Sequence, residues 1–259
     1  MSGKDTSELL EENAVLKTIQ GELEQRVKDL TAKLTNANNE LEAFIYSAAH
    51  DLRAPLRGID NLSKIIIDDY GTVLDTKGVE YFHLLCARVQ KMGQIIDDLL
   101  SLSQVTRTTL SYDTVSLSDL ALELVAELQK EYQGCVVKVV IADGLSVQGD
   151  QNLLRVLLAN LLDNAFKFSS KKEQPCIEVG LRQEGTEAVF FVSDNGVGFP
   201  MKYSEKVFTA FERLHSENEF SGDGIGLTTA QRIVQRHGGR IWVEAEDGRG
   251  ATFFWTLSK

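Results

Sequence analysis

The sequence predicts an all-α front part, in which a coiled coil and a helical hairpin form a dimeric four-helix bundle, followed by an α/β domain with a mixed sheet and helices on one face. Three observations predict this fold class. A seven-residue apolar repeat fills the first fifty residues, two amphipathic helical patterns follow with a short turn between them, and strands alternate with helices after about residue 112. We therefore expect a coiled-coil helix at 1–43, a hairpin at 44–108 and the α/β domain at 109–259.

The coiled-coil helix is predicted by two sets of residues spaced seven apart. Position d holds Leu9, Leu16, Leu23, Leu30, Ala37 and Phe44, and position a holds Asn13, Gln20, Val27, Leu34, Leu41 and Ala48. A period of 3.5 residues predicts a supercoiled helix pair, and an asparagine at position a favours a parallel two-stranded coil in fixed register. The alternative is a single amphipathic helix that packs on its own domain. The same register puts His50 at position c, which faces solvent.

The hairpin is predicted by apolar periodicity on either side of a short turn. The first helix continues to about Gly71, a residue that favours a helix end, and a second amphipathic helix covers 79–105. Two long helices joined by a short turn form a hairpin, and two hairpins form a four-helix bundle. The polar stretch at 106–116 is short of helix formers, so we expect a linker there.

Alternating patterns predict the elements of the α/β domain. Helices are expected at about 117–132, 150–169, 202–213 and 226–237, and strands at 135–142, 176–182, 187–194, 239–246 and 251–258. Two pairs of strands are close enough to be hairpins, with turns at 183–187 and 246–250. A mixed sheet with its helices on one face follows from this order.

Composition excludes several classes of protein. A net charge of -11 argues against sequence-independent binding to nucleic acid or to anionic lipid. The three cysteines are widely spaced and odd in number, which is typical of reduced cytosolic thiols. No apolar run reaches the roughly 18 residues that a membrane span needs, and the first residues lack the apolar core of a signal peptide. We expect a cytoplasmic protein with no membrane segment in this chain.

Three short motifs in the α/β domain carry polar side chains suited to a nucleotide. Asn160, Asn164 and Lys167 share one helix face, where an amide oxygen suits Mg²⁺ and an ammonium suits a phosphate. Asp194 ends a predicted strand and can accept a hydrogen bond from an exocyclic amine. Each feature also has an interpretation without a ligand. Asparagines commonly cap helices or face solvent, and Asp-Asn-Gly is a common turn sequence.

The third motif is a run of glycines directly before a predicted helix. It contains Gly222, Gly224 and Gly226, so free backbone N–H groups and the positive end of the helix can hold phosphates. It is not a Walker loop, because no Gly-Lys-Ser or Gly-Lys-Thr follows. A glycine run alone is weak evidence, since flexible loops are commonly rich in glycine.

Five motifs in order make the chain resemble a sensor histidine kinase of the phytochrome-type group. "AAHDLRAPL" at 48–56 resembles the H box, and "NLLDNAFKF" at 160–168 the N box. "DNGVGF" at 194–199, "VFTAFERLH" at 207–215 and "GDGIGL" at 222–227 resemble the first glycine box, the phenylalanine box and the second glycine box. The resemblance covers about 43–257. It implies an α/β sandwich that binds ATP, a fold shared with gyrase-type ATPases.

The resemblance also implies roles for the residues that match its motifs. Asn164 would hold Mg²⁺ against the phosphates, Asn160 and Lys167 would line the same cleft, and Phe168 would pack near the nucleotide. Asp194 would accept from the adenine amino group. Residues 200–221 would form a mobile lid anchored by Phe208 and Phe211. Arg213 and His215 in this lid are weaker candidates for contact with the γ-phosphate. The remaining nucleotide-binding residues that the resemblance implies are Gly196, Gly198, Phe208, Gly222, Gly224, Gly226 and Leu227.

His50 would be the phosphoryl acceptor, with Asp51 as its catalytic partner. A neutral imidazole is a competent nucleophile near neutral pH, and Asp51 can accept the N–H of the other ring nitrogen. Pro55 would kink the helix about one turn further on. Kinases of this type often have Thr or Asn four residues after the histidine, where Ala54 stands here, so we expect weak phosphatase activity.

The predicted function is therefore an ATP-dependent protein-histidine kinase. It would phosphorylate His50 with Mg²⁺ as cofactor and pass the group to an aspartate in the receiver domain of a response regulator. We expect a homodimer formed through the parallel coiled coil and the four-helix bundle, with region 1–43 as a signalling helix, 44–108 for dimerisation and phosphotransfer, and 109–259 for ATP binding. The alternatives are a gyrase-like ATPase and a dimeric signalling scaffold with an inactive nucleotide site.

Overall fold

The computed structural model describes the backbone of residues 3–107, 110–132, 134, 136–185, 187–215, 219–220 and 222–258. Within these ranges, the side chains of 3–15, 38–39, 42, 98–99 and 101–107 are not described. The predicted seam residues Leu9 and Asn13 therefore lie outside the described side chains. The chain divides into two compact units, 1–54 and 55–259.

The first unit contains the N-terminal part of helix α1, which spans Gly3–Tyr70. Most of the apolar seam side chains that the structure describes are exposed in the single chain, and Ala48 is half-buried. Seven of them, Leu16, Leu23, Val27, Leu30, Leu34, Leu41 and Phe44, are between 56% and 74% exposed. A stripe of this kind is typical of an interaction surface.

In the second unit, α1 ends and a tight turn leads into α2, which spans Thr76–Arg107. Gly71 follows the last residue of α1, and its N–H donates to Ile67 O at 2.9 Å. A Cβ at this position would collide with the same carbonyl oxygen, which explains why glycine stands there. Asp75 starts α2, because its carboxylate accepts the N–H of Gly78 at 2.8 Å. The predicted hairpin helices are thus present.

The rest of the second unit contains two sheets. A two-stranded antiparallel sheet pairs β1 (Asp113–Ser116) with β3 (Ser146–Gly149). The larger sheet has the order β2-β4-β5-β7-β6, formed by Lys138–Ile141, Cys176–Glu184, Glu187–Asp194, Gly250–Trp255 and Ile241–Glu246. The pair β2 and β4 is parallel and the other pairs are antiparallel, so the sheet is mixed as predicted.

Three helices cover one face of the larger sheet: α3 (Leu117–Glu131), α4 (Gln151–Ser169) and α5 (Gly226–Arg236). The central helix α4 buries a continuous stripe that consists of Leu154, Leu157, Leu158, Leu161 and Leu162, all fully inaccessible to solvent. These leucines recur at helical spacing, and each contributes roughly 2 kcal/mol through burial. The opposite side of α4 is therefore left to polar residues. No helix in the described part of the chain has the length and apolarity of a membrane span.

The ends of α4 and α5 are joined through a buried histidine. His237 is 1% exposed, its Nδ1 donates to Ile233 O at 2.8 Å, and its Nε2 accepts the N–H of Asp150 at 3.1 Å. Asp150 in turn caps the first turn of α4 by accepting the N–H groups of Asn152 and Leu153. This histidine is a structural residue that fixes where α4 begins.

The sequence prediction was wrong in three places. The helix expected at 202–213 is replaced by two 3₁₀ turns, Met201–Tyr203 and Lys206–Phe208, because Thr209 has extended backbone angles and the N–H of Phe211 bonds to Gly224 O instead of continuing a helix. Part of the expected linker at 106–116 forms strand β1, and strand β3 was not predicted at all.

Candidate functional site

His50 lies in the first unit with its side chain exposed. The imidazole is 71% accessible, in agreement with position c of the heptad, and its Nδ1 lies 3.3 Å from Asp51 Oδ1. In the tautomer with the proton on Nδ1, that nitrogen donates to the carboxylate, and Nε2 keeps a free lone pair. This pair of residues therefore presents a nucleophilic nitrogen to solvent.

A cleft of about 570 Å³ lies in the second unit, over the polar side of α4. Its walls come from the C-terminal end of α3, the end of β5, the lid segment and the start of α5. Ten of the residues that the sequence predicted for nucleotide binding line it: Asn160, Asn164, Lys167, Phe168, Asp194, Gly198, Gly222, Gly224, Gly226 and Leu227. The structure therefore brings residues from three separate motifs into one cavity. Gly196 and Phe208 are not among the lining residues.

The α4 wall of the cleft is a connected row of polar side chains. Lys167 Nζ donates to Asn164 Oδ1 at 2.9 Å, and Asn160 Nδ2 donates to Val156 O at 2.8 Å. Burial lowers the pKa of Lys167, and the nearby Arg213 acts in the same direction, whereas Asp163 opposes the change. Because the ammonium is partly desolvated, it is available as a strong donor for an anionic ligand.

Asp194 contributes a carboxylate to the site from the C-terminus of β5. The side chain is 8% exposed, and its Oδ1 accepts the N–H of Gly196 at 2.8 Å. Burial raises the pKa of Asp194 to about 6, although hydrogen bonds from the backbone of Gly196 and Ala251 partly offset this effect. A largely buried carboxylate that keeps free acceptor positions suits a ligand with an N–H donor.

The glycines of the first glycine motif are required by backbone packing. A Cβ at Gly196 would lie 2.6 Å from Phe168 O and 2.7 Å from Asp194 Oδ1. Gly198 has φ 60, and a Cβ there would collide with the carbonyl oxygen of Glu246. These two glycines thus allow the loop after β5 to pack against α4 and against the turn between β6 and β7.

The second glycine motif closes against α4 in the same way. A Cβ at Gly226 would lie 2.5 Å from Asn160 Oδ1, so the start of α5 can approach the asparagine only because this residue has no side chain. A Cβ at Gly222 would lie 3.0 Å from Lys167 Nζ. The glycine run therefore lies directly over the row of polar groups on α4.

The two predicted lid anchors behave differently. Phe208 is buried and its ring meets Phe253 edge-on, with 6.4 Å between centroids. Phe211 is 56% exposed and has φ 67, and its ring makes no aromatic contact among the described residues. The backbone bond from its N–H to Gly224 O holds the lid there instead. A bulky residue with positive φ is strained. The predicted anchor at Phe211 was therefore wrong.

The remaining lid residues form an aromatic cluster beside Phe168. The rings of His215 and Phe220 lie 5.5 Å and 5.1 Å from that of Phe168. Arg213 lines the cleft, and its Nη2 donates to Phe220 O at 2.6 Å. The lid segment thus packs over the C-terminal end of α4 through aromatic contacts. Residues 216–218 and 221 of the predicted lid lie outside the described residues.

Sequence reasoning missed several lining residues. Tyr132, at the end of α3, donates to Asp163 Oδ1 at 3.0 Å, and burial together with Asp163 raises the pKa of Tyr132. Asp163 lies one turn before Lys167 on α4, a spacing that could have signalled its position. Gln94 of α2 and Asp223 of the second glycine motif also line the cleft. No pattern in the local sequence predicts that Tyr132 or Gln94 lines the cleft.

Comparison with known protein families matches two regions of the chain. Residues 40–108 match the His Kinase A (phospho-acceptor) domain, and residues 149–259 match the family of histidine kinase-, DNA gyrase B- and HSP90-like ATPases. His50 falls in the first region, and the cleft residues from Asn160 to Leu227 fall in the second.

Curated relatives and a solved structure agree with these matches. Cyanobacterial phytochrome B from Nostoc sp. is 38% identical over 231 residues, which is 88% of this chain and 31% of the relative. The methanogenesis regulatory histidine kinase FilI from Methanothrix harundinacea is 37% identical over 92% of this chain and 26% of its own length. Full-length ShkA, solved in complex with AMPPNP, has the same fold, with a TM-score of 0.62, 23% identity and coverage of 82% and 45%. The chain spans about a third or less of these curated relatives.

Proposed function

We propose that this chain, which belongs to the sensor histidine kinases through its phospho-acceptor and ATP-binding domains, phosphorylates His50 from ATP and transfers the group to an aspartate of a response regulator. The observation that carries the proposal is the cleft over α4, which is lined both by the amide and ammonium groups of that helix and by the Asp194 carboxylate. The same chain exposes an imidazole beside a carboxylate. The three regions 1–43, 44–108 and 109–259 would then serve signalling, phosphotransfer and ATP binding.

The polarity of the cleft supports an orientation for the nucleotide. Asp194 would accept a hydrogen bond from the adenine amino group, because its carboxylate is buried and its pKa of about 6 leaves it ionised at neutral pH. Lys167 and the N–H groups at the start of α5 would face the phosphates. Phe168, which lies under Lys167 Nζ at 4.6 Å, would pack against the nucleotide. Leu227 and the three glycines before it would close the phosphate end.

Mg²⁺ fits the oxygen donors at the phosphate end of the cleft. Asn164 would hold it through Oδ1, which now accepts from Lys167, and the buried Oδ1 of Asp223 has no hydrogen-bond partner among the described residues. Hard oxygen atoms of this kind are the ligands that Mg²⁺ prefers, together with phosphates. No cluster of three or more acidic, histidine or cysteine ligands lies among the described residues, so the nucleotide itself would supply further ligands. The ion would neutralise charge on the triphosphate.

The transfer step needs a nucleophile with a free lone pair. Nε2 of His50 would attack the γ-phosphorus, so that an N–P bond forms and the bond to the bridging oxygen breaks, with its electron pair leaving on ADP. Asp51 would hold the proton on Nδ1 and offset the positive charge that develops on the ring. A carboxylate oxygen of the response regulator would then take the phosphoryl group, which restores the neutral imidazole.

The exposed seam of α1 supports a homodimer. Its seven described leucine, valine and phenylalanine side chains lie uncovered in the single chain, and a second copy in parallel would cover them. Two hairpins would then form a four-helix bundle. The response regulator is proposed from the function alone, as the partner that receives the phosphoryl group.

Incubation with γ-labelled ATP and Mg²⁺ tests this function. The expected label is stable in base and lost in acid, and His50→Gln removes it. His83→Gln is a matched control, because His83 is also exposed on a hairpin helix and should leave the label intact. Label that survives His50→Gln would contradict the assignment. Steady ATP hydrolysis without a phosphorylated protein would support a gyrase-like ATPase, and absence of nucleotide binding in calorimetry would support an inactive scaffold.

A further inference from the structure

Asp223 is a partly buried acid in the cleft, and the resemblance to histidine kinases assigns it no role. It lies between Gly222 with φ 139 and Gly224 with φ 73, in the loop before α5, and it lines the cleft. Its Oδ1 atom is inaccessible to solvent and has no hydrogen-bond donor among the residues that the structure describes. A buried carboxylate oxygen without a partner is unfavourable and needs an explanation.

The loop geometry fixes where this carboxylate stands. Both neighbouring glycines have positive φ, which other residues rarely adopt, and a Cβ at Gly224 would lie 2.9 Å from Glu212 O. The preceding Gly222 lies against Lys167 Nζ, which already donates to Asn164 Oδ1. Asp223 is therefore held at the same end of the cleft as the amide oxygen proposed for Mg²⁺.

The charge of Asp223 has opposite effects on two forms of a nucleotide. A triphosphate without metal carries negative charge toward this carboxylate, whose Oδ1 accepts no hydrogen bond from the described residues. Like charges at short range repel in a partly buried site, and the nearby Lys167 ammonium offsets part of this repulsion. A divalent cation between them reverses the interaction, since a carboxylate oxygen is a good ligand for such an ion. The phosphate end thus discriminates between metal-bound and metal-free nucleotide.

We infer that Asp223 makes nucleotide binding dependent on a divalent cation, by repelling the metal-free triphosphate and by serving, directly or through water, as an oxygen ligand when Mg²⁺ enters with it. The inference rests on the proposed function, because it takes the cleft to be an ATP site. It adds Asp223 to Asn164 as a residue that determines which form of the nucleotide binds.

The test is the affinity of a non-hydrolysable ATP analogue, measured by calorimetry with Mg²⁺ and with EDTA on the full chain. The ratio of the two affinities is the quantity to compare. Asp223→Asn should reduce this ratio by about tenfold or more, because a charge interaction at a few ångströms exceeds one factor of ten in affinity. Asp223→Glu, which keeps the charge, should retain most of the ratio. Asp247→Asn, at an exposed turn outside the cleft, controls for net charge and should leave the ratio unchanged.

An unchanged ratio in Asp223→Asn would overturn the inference, whether neither affinity changes or both fall equally. An equal fall with and without Mg²⁺ would make Asp223 a plain hydrogen-bond acceptor for the nucleotide. An equal change in Asp247→Asn would also overturn it, because the effect would then be general. Failure of the unmodified chain to bind the analogue in any condition would contradict the proposed function itself, so the two failures are distinguishable. Asp223→Glu keeps the test valid if the asparagine variant folds poorly.

Discussion

The buried acid at the end of β5 should lower the stability of the empty protein. Asp194 has a pKa of about 6 in the folded chain, above its ordinary value of 3.8, because burial disfavours the ionised carboxylate. The folded state therefore binds this proton more tightly than the unfolded state. The stabilising contribution is fully present below about pH 4 and is lost as the pH rises through 6. At pH 8 the ionised group costs up to about 3 kcal/mol, at roughly 1.4 kcal/mol per pH unit between the two values.

Asp194→Asn removes this cost while keeping an oxygen that can accept the N–H of Gly196. The variant should be up to about 3 kcal/mol more stable at pH 8 without nucleotide, and the difference should shrink to roughly 1 kcal/mol at pH 4.5. Urea unfolding followed by tryptophan fluorescence measures it. The chain has two tryptophans, Trp242 and Trp255, and both lie in the five-stranded sheet, so the signal reports the unit that contains the acid.

The pH dependence separates this reasoning from a general packing effect. A gain of equal size at both pH values, or a loss of stability at pH 8, would refute it. Asp143→Asn, at an exposed turn, is the matched control and should change the unfolding free energy little at either pH. The Asp194→Asn variant should also bind adenine nucleotide more weakly, because a neutral amide is a poorer acceptor than a carboxylate.

Three further predictions concern other parts of the chain. His237→Ala should lower the free energy of unfolding by about 2–4 kcal/mol, because it leaves a cavity and two unpaired backbone groups, and a loss below about 0.5 kcal/mol in the tryptophan assay would contradict its structural role. Leu30→Asp should weaken dimerisation by at least about tenfold in sedimentation equilibrium, because it puts a charge into the apolar seam, and a dimer of unchanged affinity would exclude that seam as the interface. Ala54→Thr should raise the rate at which the protein dephosphorylates its response regulator, because the substitution adds a hydroxyl four residues after His50. Rapid dephosphorylation by the unmodified chain would contradict the expectation that its phosphatase activity is weak.

The helices and their polar faces could be predicted because their signals are local. The leucine stripe and the polar row of α4 repeat at helical spacing, so Asn164 and Lys167 were correctly expected in one cleft. Strand β3 could not be found this way, because its four residues pair with a strand that lies 30 to 36 positions earlier in the chain. Tyr132 reaches the cleft from another helix end, and only the tertiary fold puts it beside Asp163. Local spacing likewise gave no sign that Phe211 would turn outward.

The loop at Gly198 and the turn at Gly250 interlock without room for any side chain. A Cβ at either glycine would collide with a carbonyl oxygen of the opposite segment, Glu246 O for Gly198 and Asp194 O for Gly250, and the N–H of Gly248 bonds to Val197 O at 2.6 Å. These two glycine positions consequently tolerate almost no substitution. If the cleft binds ATP as proposed, an altered preference for the base, whether evolved or engineered, would have to come from lining residues that carry side chains, such as Phe168 and Leu227, and not from these glycines.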